Sequence, residues 1–261
     1  MALQTRPTEF EARSPAAPTS LWLTDGGRQT LLLVALPLLA LAAVAWTVTA
    51  RTDSMSMAAD AAFVGSWLIM MAAMMLPAVA PVVALYALAS KRRVVAALPV
   101  FLAGYAAVWA VSAVPAYLVA RVVDQPLMDG EAWVARLAGG SLIAAAAYQL
   151  TPLKIACLNR CRSPLSVFLT QKGSLARPRR ALVAGARHGI DCLGCCWALM
   201  AVLIVLGGMQ LGWALAISAV ITAEKVLPRG PEIARVVAMG AASLGLALLL
   251  EPSLLTHLIS T

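Results

Sequence analysis

Apolar residues lie along this chain in long blocks parted by short polar breaks, a pattern unlike the alternating or amphipathic stretches of a water-soluble domain. Seven blocks approach or exceed the ~20 apolar residues that a membrane-spanning helix needs. They are Leu31–Ala50, Phe63–Ala89, Val94–Ala120, Val134–Leu153, Ala181–Leu206, Leu211–Leu227 and Ile233–Leu250. The pattern predicts an all-α polytopic membrane helical bundle of about seven transmembrane helices. Residues 1–30 are polar and carry Pro7, Pro15 and Pro18, so they read as a cytoplasmic tail ahead of a single transmembrane domain over 31–261. The first apolar block starts too late and runs too long for a cleaved signal peptide, and is expected to stay as the first span.

Composition strengthens this reading. The 261 residues are 61% apolar and 12% charged, whereas a soluble domain is about a quarter charged. The net charge of +8 would elsewhere point to nucleic acid; here it reports topology, because positive residues gather on the cytoplasmic side of membrane proteins. With the N-terminus inside, only Arg51, Arg121 and Arg136 of the 20 Lys and Arg residues fall outside. The expected orientation is N-terminus in and C-terminus out, in a bacterial inner membrane. Arg177-Pro178-Arg179-Arg180, in the long basic connection, reads as a headgroup anchor.

The polar residues inside the apolar blocks carry the candidate chemistry. In the fifth block, His188, Cys192, Cys195 and Cys196 fall within an arc about 100° wide on a helix, with Asp191 at its edge. Three thiols and an imidazole on one stripe suit a soft or borderline metal; packing by small cysteines is the bland alternative. Ionisable residues at membrane depth point to function. In the second block, Trp67, Met70, Met74, Pro77 and Pro81 share a face, and thioethers are soft ligands suited to Cu(I). Met74 and Cys195 each lie about 16 Å from the outer ends of their spans, so the two clusters are expected to face each other near the midplane. Glu224, followed by Lys225, could serve as ligand, proton carrier, or salt-bridge partner of Lys225 or Arg187. Cys157 and Cys161, spaced i,i+4 at the inner mouth, could form a metal-receiving pair.

These stretches resemble a bacterial family of predicted metal-binding integral membrane proteins, domain of unknown function 2182. The resemblance rests on Trp67-x-x-Met70 through Met74-Met75-x-Pro77, and on Tyr148-Gln149-Leu150-Thr151-Pro152-Leu153-Lys154-x-x-Cys157-Leu158. It continues through Cys161-Arg162-Ser163-Pro164, His188-Gly189, Cys192-x-Gly194-Cys195-Cys196-Trp197-x-Leu199-Met200, Met209-x-Leu211-x-Trp213 and Glu224-Lys225. It spans about residues 60–245. The chain departs from it at Asp191, where an aromatic residue is expected, and at Gln210, where Asn is expected.

The residues and the resemblance together lead to a protein that handles Cu(I), as a transporter or a membrane metallochaperone, rather than an enzyme. His188, Cys192, Cys195 and Cys196 would bind, Met70 and Met74 would be auxiliary ligands, and Cys157 and Cys161 would form an inner station; Asp191 and Glu224 complete the candidate metal residues, Asp191 as an added carboxylate that hardens the site and Glu224 to couple or neutralise charge. Zn2+ stays open, because a Cys/His set also suits it. The expected partners are the lipid bilayer, the metal ion, and a metallochaperone or metalloenzyme assembly partner, with no nucleic acid. Two competing functions are a thiol–disulfide enzyme using Cys192, Cys195 and Cys196, and a non-catalytic assembly partner in which the cysteines only pack.

Overall fold

The computed structural model describes residues 25–51, 60–89, 97–129, 131–162, 177–206 and 211–255. The tail before Asp25, the Lys91–Arg93 cluster, most of the basic connection, Ser163-Pro164, Met209 and Gln210 lie outside the described residues. Among the described residues the protein is all helical, without a strand. The helices are α1 (Asp25–Arg51), α2 (Asp60–Ala89), α3 (Leu98–Met128), α4 (Ala132–Gln149), α5 (Pro152–Arg162), α6 (Pro178–Val205), α7 (Leu211–Val226) and α8 (Gly230–Leu250).

Five of these helices are long and apolar enough to cross a membrane, or six if α4 and α5 together make one bent span. The count of seven drawn from the apolar blocks is therefore not reproduced. One difference lies in α7, whose 16 residues reach about 24 Å, short of a hydrocarbon core of about 30 Å. The other lies in the block Val134–Leu153, expected to be a single helix. It breaks at Leu150-Thr151, and α5 leaves α4 at 68°. The cause is local. Pro152 cannot donate a backbone N–H but suits the first position of a new helix. The Thr151 hydroxyl ends α4 by donating to the Tyr148 carbonyl (2.7 Å), and opens α5 by accepting from the Lys154 N–H (3.2 Å).

The elbow turns α5 back into the protein. Lys154, Cys157, Leu158 and Cys161 are its buried residues, at the i, i+3, i+4, i+7 spacing of one helix face. Instead of running along the inner surface, this stretch packs on α6 and α7. At its far end Arg162 donates to the carbonyls of Glu224 (3.2 Å), Leu227 (2.5 Å) and Pro228 (3.2 Å). A cation there satisfies the open carbonyls at the C-terminal end of α7 and complements its dipole.

α2 and α6 form the centre, with 67% of each span buried, against 11% of α1. α6 lies along α3 and is flanked by α4 and α5; α1 lies along α2, α4 along α8, and α7 bridges α2, α5, α6 and α8. Small residues set the closest approaches, as is usual where lipid removes the hydrophobic drive for helix association. A Cβ added at Gly104 would collide with the Leu182 carbonyl, and one at Gly185 with that of Phe101. Gly139 and Gly245 play the same part between α4 and α8, where a Cβ on either would meet the other's carbonyl at 2.7 Å. Outward faces are apolar: Leu33, Val111 and Leu250 are exposed, as residues that meet lipid should be.

Candidate metal centre

The thiol stripe of α6 faces inward. His188, Cys192, Cys195 and Cys196 are all buried, in the core shared by α2, α3, α5, α6 and α7. Five cysteines, Cys157, Cys161, Cys192, Cys195 and Cys196, are free thiols. The glycines beside them admit close neighbours: a Cβ at Gly194 would sit 2.9 Å from Cys157 Sγ, and one at Gly189 would lie 3.0 Å from the Val108 side chain.

Cys192 is the hub. The Lys225 amino group donates to its sulfur at 3.0 Å, the Tyr105 hydroxyl lies 3.0 Å away, and Met75 Sδ lies 3.9 Å away. Lys225 also reaches Met75 Sδ at 3.6 Å. Cys161 arrives from α5 and interacts with both Cys192 and Cys195. Cys195 and Cys196 turn their thiols back onto their own helix, each donating to the Cys192 carbonyl, at 3.1 and 3.0 Å. Cys196 also interacts with Cys192 and Cys195, so these thiols and Cys161 lie together in one sulfur cluster. Among the described residues no three His, Cys, Asp or Glu side chains could hold a metal ion together. The soft donors that meet across helices are Cys192 on α6, Cys161 on α5 and Met75 on α2.

His188 sits one turn before Cys192. Its ring lies beside those of Phe101 (6.1 Å between centroids) and Tyr105 (5.9 Å), and it interacts electrostatically with Cys192, Cys195 and Lys225. Among the described residues, neither of its buried ring nitrogens has a hydrogen-bond partner. A buried unpaired polar atom costs on the order of 1–3 kcal/mol, so two on one ring mark a position kept for something other than stability.

The remaining expected residues are placed differently. Met70 and Met74 are fully buried in the same core, but the sulfur that reaches Cys192 is that of the neighbouring Met75. Trp67 fixes α2 to α3 by donating to the Trp109 carbonyl at 3.1 Å. Asp191 turns away from the thiols to Arg160 on α5, 3.8 Å distant and mostly exposed. Glu224 does not pair with Lys225 or Arg187. Its carboxylate takes the Lys154 ammonium at 2.6 Å and the Gln149 amide at 2.8 Å, all three side chains being buried. The physical reason is helical: neighbouring residues point 100° apart, so Glu224 faces α4 and α5 while Lys225 faces the thiols. Cys157 and Cys161 do share one face, but that face is packed on α6 rather than open at an inner mouth.

Sequence reasoning missed Met75 and Tyr105 as parts of the centre, and Lys154 and Gln149 as the partners of Glu224. Lys154, a charge directly after an apolar block, was the visible signal.

No curated protein and no solved structure matches the chain. A family model does: residues 64–248, well over half of the sequence, match PpoB2, described as a copper chaperone. This family is metal-related, as the resemblance implied, but it is not domain of unknown function 2182. The matched region holds the five buried thiols, His188, Met75 and the buried Lys154 and Lys225, and the chain belongs to the PpoB2 copper chaperone family.

Proposed function

We propose that the protein receives Cu(I) at the buried centre around Cys192 and hands it to a metalloenzyme assembly partner at the bacterial inner membrane, with its N-terminus in the cytoplasm. The observation that carries this reading is the 3.9 Å approach of Cys192 Sγ and Met75 Sδ, with the unpartnered His188 one turn away. Thiolate and thioether select Cu(I) among the available metals. With metal–sulfur bonds of about 2.3 Å, two sulfurs at that separation subtend about 115° at a shared ion, an angle suited to three-coordinate Cu(I). His188, one turn before Cys192 on the same helix face, offers a nitrogen donor not used in any hydrogen bond among the described residues.

Cys195 and Cys196 are exchange ligands. A rotation about χ1 frees each thiol from the Cys192 carbonyl and brings it toward the bound ion, a step that lets Cu(I) pass between thiols without being released to water. Cys161 extends the same series onto α5, and Cys157 lies beside it against Gly194. Met70 and Met74 line the α2 side of the core. Asp191 and Glu224 act through charge, each held by its own cation.

The test is elemental analysis of detergent-purified protein after anaerobic Cu(I) loading, beside the Cys192/Cys195/Cys196→Ser triple variant. The expected result is near-stoichiometric copper in the wild type and none in the folded variant. Equal copper in both, or none in either, overturns the reading.

A further inference from the structure

Two lysines are buried at the centre of this fold, and they are not equivalent. Lys154 has the Glu224 carboxylate. Lys225 has none among the described residues, and its hydrogen-bond partners are the sulfurs of Cys192 at 3.0 Å and Met75 at 3.6 Å. An ammonium is a compact monovalent cation that prefers water or oxygen, and a thioether is a poor acceptor for it. The two sulfurs it touches are the two that approach each other across α2 and α6.

We infer that Lys225 is a tethered stand-in for the cargo: its ammonium occupies the Cys192–Met75 sulfur pair in the metal-free protein and competes with Cu(I) for it. The inference rests on the copper reading and adds how the empty site is kept and how the ion leaves. Both competitors carry one positive charge, so their exchange leaves the charge of the buried pair unchanged. No electron moves: Cys192 meets either cation as its thiolate, so no proton has to leave the sulfur, and a hydrogen bond from Nζ to sulfur gives way to a metal–sulfur bond.

The position of Lys225 gives the ammonium somewhere to go. It stands in the last turn of α7, and Val226 and Leu227, which follow it, are exposed. A four-carbon stem rooted at a helix end can keep its apolar part in the core while its head moves out to the polar boundary. Glu224 and Arg162 meanwhile hold the backbone of that turn through Lys154, Gln149 and the terminal carbonyls. The head group can therefore move while its root stays fixed. On return, the ammonium drives the ion off the two sulfurs, which a protein that must surrender copper needs as much as it needs affinity.

The experiment is a Cu(I) competition titration against bathocuproine disulfonate under anaerobic conditions, on full-length wild type, Lys225→Leu and Cys192→Ser in detergent. Removing the competing cation should tighten Cu(I) binding at least tenfold in Lys225→Leu and slow its loss to the chelator. Equal or weaker binding in Lys225→Leu overturns the stand-in role, since a lysine that merely supports the thiol would weaken the site when removed. If wild type binds and Cys192→Ser does not, that failure leaves the copper reading intact. Absence of Cu(I) from wild type and Lys225→Leu alike overturns both. Should Lys225→Leu not run as a single folded species, Lys225→Gln, which keeps a polar head without the charge, gives the same comparison with the same two outcomes.

Discussion

Glu224 and Lys225 are adjacent in sequence, yet they belong to two buried clusters built on opposite logic. Around Glu224, the Lys154 ammonium and the Gln149 amide use the carboxylate fully. Around Lys225, a cation rests on sulfur, and a nearby imidazole has no hydrogen-bond partner among the described residues. Satisfied buried polar networks make a structure rigid; partly satisfied ones are costly and mark places where something else must happen. The first cluster therefore reads as architecture, bracing α4, α5 and α7, and the second as a working site.

The largest expected effect separates the two directly. Glu224→Leu leaves the Lys154 ammonium buried without its carboxylate and should cost about 3–5 kcal/mol, read from denaturant or thermal unfolding in detergent. The double variant Lys154→Met/Glu224→Leu should recover most of that loss, because an apolar pair of similar volume is often neutral. A cost below about 1 kcal/mol for the single change would show that the ion pair is not architectural.

On the other side, Lys225→Leu should shift stability by no more than about 1 kcal/mol, since the Cys192 thiol left behind behaves as a small hydrophobe. A loss as large as that of Glu224→Leu would erase the contrast between the two lysines.

His188→Phe sharpens it further. The new ring keeps an aromatic contact with Phe101 and Tyr105 and removes two unpaired nitrogens, so stability should hold or rise by about 1 kcal/mol while Cu(I) retention falls. Full copper retention in this variant would remove His188 from the site. A modest effect is also expected for Tyr105→Phe, which deletes one hydroxyl beside Cys192 and should cost about 0.5–1.5 kcal/mol in unfolding. A much larger cost would place Tyr105 among the braces instead.

Much of this was legible along the chain, and the reasons for success and failure differ by residue. Apolar length alone located α1, α2, α3, α6 and α8, because a spanning helix has few other compositions open to it. The inward stripe of His188, Cys192, Cys195 and Cys196 was also legible, since 3.6-residue periodicity puts them on one side whatever packs there. Which residue of α2 meets that stripe was not legible. α2 is buried nearly all round, so Met70, Met71, Met74 and Met75 look alike in sequence, and only the rotation set by α3 and α7 selects Met75. The elbow at Thr151-Pro152 was hidden because the apolar block continues across it, although the threonine cap and the proline beside it are a readable start signal. The Lys154–Glu224 pair joins residues that no local pattern connects, and it became visible only once the elbow had turned α5 inward.

The outlying position of α1 bears on what the smallest working unit is. It packs along α2 through Leu38, Ala42 and Ala45 and leaves Leu32, Leu33, Leu36 and Leu39 exposed, and the copper chaperone match begins only at residue 64. In water, stripping a helix from a protein uncovers an apolar face that the solvent rejects. In a bilayer the uncovered face meets acyl chains that are as apolar as the lost leucines, so the loss is one of packing rather than of solvation. A chain starting at Asp60 keeps both buried clusters whole. It is expected to insert and load copper, which identifies α1 as an accessory built onto the unit that carries the chemistry.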